Sequence, residues 1–258
     1  MSALARLSLF WKILLSTSIA LTVLFAGAGW IIQDTARRAI SASLEDEVRS
    51  SFEAYRSLWR SRAELLASVS LVISRMSDVR AAFSTGDEAT IRDSATELWS
   101  AVSPLNTFFL VAEPGGAVIA SLGGDLEERL KHDLPVVRQA ASTFLKQATG
   151  FMTAGGRLYQ IAVTPVYVQS NGGMGLLNVL VAGYAVDPEI ARTLKHSTGG
   201  SDFCFMLNGR IVASTLPDAA GAALQTTYMP RSEPTNVEAA GHPYIMLGTD
   251  LLDVSGKP

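Results

Sequence analysis

The sequence predicts an α+β protein: an N-terminal transmembrane helix, a long stalk helix, then tandem antiparallel sheets with flanking helices, the second sheet incomplete. Three observations carry this. Residues 13–32 (ILLSTSIALTVLFAGAGWII) contain no charge. From Gln33 to Ala82 there is neither Pro nor Gly. From Thr107 onward, short apolar runs alternate with turns rich in Gly and Asn.

Residues 1–12 form a short cytoplasmic tail with Arg6 and Lys12 as its basic groups. The apolar stretch 13–32 makes a helix of about 30 Å, the thickness of a hydrocarbon core. Two readings compete for it. Ala26-Gly27-Ala28 resembles a signal-peptide cleavage site, but the run continues through Trp30, Ile31 and Ile32, beyond the usual h-region, which favours an uncleaved anchor. The basic residues before it favour an inside N-terminus. No acid precedes Asp34, so the remainder is more acidic than the whole chain's net −3. That gives no reason to expect nucleic acid as a partner. The lipid bilayer is a partner through residues 13–32. The single cysteine, Cys204, excludes an internal disulfide and reads as a small strand residue.

Residues 33–106 hold the stalk helix and a second helix. Val48, Phe52, Tyr55, Trp59, Leu66, Val69, Ile73 and Met76 recur at steps of three and four, with Arg62 filling one slot. The near-heptad spacing predicts a homodimer through the first half of this helix. From Leu66 the stripe is expected to pack on its own domain. Ser84-Thr85-Gly86-Asp87 stops the helix, and another runs from about Glu88 to Val102.

Residues 107–198 form the first sheet module. Thr107–Ala112 and Ala117–Leu122 flank the turn Glu113-Pro114-Gly115-Gly116. A helix interrupted at Pro135 is expected from Asp125 to about Gln147. Arg157–Val168 and Gly175–Val186 read as a long hairpin, and Asp187 caps a helix from Pro188 to His196. Residues 199–258 form the second module. Asp202–Leu207 and Arg210–Thr215 are joined by Asn208-Gly209, the strongest short hairpin signal. Pro217–Gly241 reads as loop. The chain repeats itself: Gly116-Ala117-Val118-Ile119-Ala120-Ser121 aligns with Gly209-Arg210-Ile211-Val212-Ala213-Ser214, and Tyr159 to Thr164 with Tyr244 to Thr249. In the second copy no strand follows the final turn. The expectation is that the sequence is a fragment of a longer chain.

This order, with the pieces FFLVAEPGGAVIASL and FCFMLNGRIVASTL, resembles the extracytoplasmic Cache sensor domains of bacteria, PAS-like modules, here of the double-Cache type. The resemblance covers about residues 33–258. It implies the ligand-sensing region of a bacterial inner-membrane receptor, with the ectodomain in the periplasm and a small-molecule ligand as partner. A kinase, cyclase or chemotaxis output would lie beyond Pro258. The amino-acid-binding Cache motif is not evident. A signal-anchored periplasmic enzyme and a ligand-free adaptor are the alternatives.

No catalytic motif occurs, and His132, His196 and His242 lack metal-ligand spacing with one another or with Cys204, so no catalytic residue, metal or cofactor is expected. A binding pocket is expected instead. Tyr159 and Tyr184, on adjacent strands, are candidates to place hydroxyls over a ligand. Ser121 and Arg157 are further polar candidates, Arg157 suiting a carboxylate.

Overall fold

The computed structural model describes residues 9–102, 107–123, 126, 128–141, 146–170, 173–227 and 233–258. The chain divides into two compact units, Met1–Arg49 and Ser50–Pro258.

The first unit is helical throughout its described residues and belongs to α1 (Leu9–Arg75). Leu24, Phe25 and Trp30 are about two-thirds exposed. An apolar surface all round a helix suits a hydrocarbon environment. Thr17 and Thr22 turn their hydroxyls back to the carbonyls of Ile13 and Ser18, which removes polar hydrogens from that surface. Among the described residues this is the one helix long and apolar enough to cross a membrane.

In the second unit α1 continues to Arg75. Met76 is extended (φ −64°, ψ 134°), and α2 (Ser77–Ser84) restarts after this break. Asp87 then caps α3 (Glu88–Val102), its carboxylate accepting the Thr90 amide at 2.9 Å. A five-stranded antiparallel sheet follows, with β1 (Thr107–Ala112), β2 (Val118–Leu122), β3 (Ala148–Ala154), β4 (Arg157–Ser170) and β5 (Gly173–Ala185) in the spatial order β2-β1-β5-β4-β3. The central strand is therefore the last in sequence.

Helices cover both faces of this sheet. Phe109, Val111, Leu180 and Ala182 pack on Ile73, Val79, Phe83 and Ile91. Phe108, Leu110, Ile161 and Val181 pack on the opposite side against Leu130, Leu134 and Val137. The reason lies in β1: every residue of TFFLVA is buried, so it lacks the alternation of a half-solvated strand. The long helix expected between Asp125 and Gln147 is realised as a 3₁₀ turn at Glu128–Lys131 and α4 (Pro135–Ala141). Pro135 starts α4 rather than kinking a longer helix. Part of that expected helix, including residues 142–145, lies outside the described residues.

After α5 (Pro188–Ser197), capped by Asp187 accepting the Ile190 amide, the second set begins. β6 (Cys204–Leu207) and β7 (Arg210–Ser214) form a hairpin. Asn208 and Gly209 take φ of 50° and 74° at its turn, as a two-residue hairpin requires. The stretch read as loop contains α6 (Asp218–Thr227) and β8 (Thr235–Ala239), and β8 pairs with β9 (His242–Met246). Ala220, Leu224 and Ala239 form the small core there. These two hairpins are separate two-stranded sheets, and no described strand bridges them. In the first set that bridging place belongs to β5.

Candidate functional site

The four residues singled out from sequence do not form one cluster. Ser121 is half-buried on β2 opposite Leu110. Through Leu110, Val181 and Val163 its row crosses the sheet to β4, where Tyr159 lies four residues further along. At about 4.8 Å between strands and 3.4 Å per residue, Ser121 and Tyr159 are about 20 Å apart. Tyr159 is buried in the α4-side core, edge-on to Phe108 at 5.6 Å. Arg157 is exposed at the start of β4. Tyr184 pairs across strands with Gln160, so it faces the α1 side, opposite to Tyr159. The two hydroxyls therefore cannot meet over one ligand.

Tyr184 instead belongs to a polar chain inside an aromatic cluster. Its hydroxyl donates to Gln160 Oε1, and Gln160 Nε2 donates to the Trp59 carbonyl at 3.1 Å. Arg62 stands over the Tyr184 ring at 5.5 Å, a cation–π contact. Burial pushes the Tyr184 phenol well above its ordinary range, with the Arg62 guanidinium opposing the shift, so it stays protonated and donates. Trp59 stacks on Phe151 at 5.5 Å and on Phe205 at 5.7 Å. Tyr55 stacks on Phe203 at 5.7 Å. One helix surface thus holds β3, β5 and β6 together. Packing of α1 on its own domain is already present at Ser51, whose buried hydroxyl donates to the Thr198 carbonyl at 2.9 Å, well before Leu66. Sequence reasoning passed over Gln160. The signal for Arg62 was a charge in an apolar stripe.

A cavity lined by described residues lies elsewhere in this unit. Beyond Ala148 the sheet loses β3, and beyond Ala112, opposite Val179, it loses β1, so from Val166 onward β4 continues with β5 as a two-stranded arm. Beside that arm, a space of about 430 Å³ is bounded by Ser74 and Arg75 of α1, Arg80 of α2, Lys146, and Tyr167 and Met174 of the arm. Gln147 fixes its inner edge, donating to the Ala67 carbonyl and to Thr164 Oγ1, both at 2.6 Å. Among the described residues no group of His, Cys, Asp and Glu is arranged to hold a metal. Cys204 is half-buried opposite Ser214, and burial raises its thiol pKa, which disfavours a reactive thiolate.

The fold is an antiparallel sheet ordered 2-1-5-4-3, with a long N-terminal helix on one face and a second hairpin set following. Among solved structures, the crystallised periplasmic domain of Vibrio cholerae LuxQ shares it over 77% of this chain and 96% of that one, with a TM-score of 0.50 and 13% identity. The ligand-binding domain of the Pseudomonas aeruginosa PAO1 amino acid chemoreceptor PctC, solved in complex with GABA, aligns over 77% of this chain and 88% of its own at 18% identity and a TM-score of 0.44. No family model and no curated protein matches the chain.

Proposed function

We propose that this chain is the membrane-anchored, ligand-sensing region of a bacterial signal-transduction receptor, with residues 13–32 in the inner membrane and the ectodomain in the periplasm. The observation that carries the reading is a sensor-type sheet following an apolar helix, in a fold shared with a periplasmic domain. Small-molecule binding shifts the balance between two packings of the first module, and α1 carries the change toward the bilayer. The signal leaves through an output module, such as a kinase, cyclase or chemotaxis domain, on the same polypeptide or a partner.

The test is thermal-shift screening of the full chain in detergent against organic acids, amines and amino acids. A ligand at 100-fold its Kd adds about 2.7 kcal/mol of stability. No shift across the panel, for protein with native circular dichroism, sinks the sensing reading in favour of the adaptor. Homodimerisation is proposed through α1 ahead of Ser51. A cysteine at Val48 is expected to cross-link between copies; its failure, and failure at neighbouring heptad positions, refutes the dimer.

A further inference from the structure

Resting on the sensor reading above, the geometry points to a small organic polycarboxylate as the occupant of the cavity beside the β4–β5 arm. Arg75, Arg80 and Lys146 are exposed side chains from three separate segments, and all three line this one space. Among the described residues no Asp or Glu lines it. No ion pair among the described residues uses any of the three cations. Like charges gathered round a concave surface raise a field that attracts an anion.

The rest of the lining sets the kind of anion. Leu71, Pro165 and Met174 supply apolar wall, and Tyr167 a ring. A bare inorganic ion uses none of that surface, whereas a carbon skeleton does. The three cations come from the end of α1, from α2 and from the segment before β3. This spreads charge over the cavity and suits a ligand with two or three separated carboxylates. Arginine engages carboxylates with paired N–H donors. A space of about 430 Å³ also falls in the size range of small-ligand sites.

The experiment titrates the full chain in detergent with citrate by calorimetry, with inorganic phosphate and uncharged triethyl citrate as comparisons. Citrate is expected to bind, and triethyl citrate to be silent. The Arg80→Gln/Lys146→Gln variant is expected to bind citrate at least tenfold more weakly while keeping its melting temperature. If that variant misfolds, Lys146→Arg alone keeps the charge, adds a paired donor and is expected to retain binding; loss of binding in this folded variant overturns the charge-based site. Undetectable citrate binding, or citrate binding unchanged by Arg80→Gln/Lys146→Gln, also overturns it. Phosphate binding as tight as citrate overturns the carboxylate assignment. An amine or amino acid that stabilises wild type and variant alike leaves the sensor reading standing and moves its ligand elsewhere. A panel silent throughout removes both.

Discussion

Replacing Trp59 by Ala and by Phe separates two contributions that the cluster between α1 and the sheet combines. Trp59 is 7% exposed, stacked on Phe151 and Phe205, and edge-on to Tyr184 at 6.1 Å. Truncating a buried aromatic to Ala costs about 3–5 kcal/mol through lost transfer energy and the cavity left behind. With four aromatic partners, Tyr55 included, losing a contact, the upper part of that range applies, about 4–5 kcal/mol. Trp59→Phe behaves differently. Phe keeps a ring between Phe151 and Phe205 but leaves a smaller void, costing about 1–2 kcal/mol. It also removes the indole N–H, which is buried without a partner and so costs about 1–3 kcal/mol in the wild type. The two nearly cancel, so Trp59→Phe is expected within about 1 kcal/mol of wild type. The assay is urea unfolding of the full chain in detergent, followed by far-ultraviolet circular dichroism. At a slope of about 2 kcal/mol/M, Trp59→Ala lowers the midpoint by about 2 M and Trp59→Phe by at most about 0.5 M. A Phe variant as damaged as the Ala variant refutes the account of the indole N–H. An Ala variant within 0.5 M (about 1 kcal/mol at that slope) refutes the cluster's role.

Three further outcomes are expected. Gly183→Ala puts a Cβ 2.6 Å from the Gln160 carbonyl oxygen and 2.7 Å from Phe108 Cζ in the central strand; about 3 kcal/mol of overpacking lowers Tm by roughly 6–12 °C, and an unchanged melt contradicts this. Tyr184→Phe leaves Gln160 Oε1 without its donor and costs about 1–3 kcal/mol, whereas Tyr184→Phe/Gln160→Leu recovers most of the loss; a double variant worse than the single one removes the proposed coupling. Asp253 accepts from the Ser255 hydroxyl, the Lys257 amide and Gln139 Nε2, which holds its carboxyl down to about 2. Because this pKa is depressed, the contribution is complete above the unfolded value of 3.8 and is lost as pH falls through about 2. Hydrogen exchange at the Phe151 amide, bonded to the Leu252 carbonyl, is expected to stay slow from pH 7 to 4 at matched intrinsic rates and to quicken below; Asp253→Asn should quicken it at pH 7 as well.

Much of the local structure is written in local residues. Asn208-Gly209 fixes its hairpin because only residues tolerant of positive φ close a two-residue turn. Asp187 and Asp87 start helices because their carboxylates meet free amides. The repeat of Tyr159–Thr164 and Tyr244–Thr249 falls on β4 and near β9, each paired with the strand before it. Other elements left weak traces. β3 (ATGFMTA) has little apolar pattern, and Gly150 is there because the Asp253 backbone passes 2.5 Å from where a Cβ would sit. That approach joins residues 103 apart and has no signal in either segment.

The candidate site follows the same division. By itself the sequence determined the apolar span, the helix after it and the hairpins, because each depends on periodicity and turn chemistry within a few residues. It also set Tyr159 and Tyr184 on adjacent strands. Only the tertiary structure decided that they face opposite ways, since the face of a strand residue depends on register, and one residue of shift reverses it. Likewise Arg75, Arg80 and Lys146 read singly as solvated charges. They become one cationic cavity because α1 breaks at Met76 and β3 stops short of the β4–β5 arm, two facts of packing that no local pattern carries.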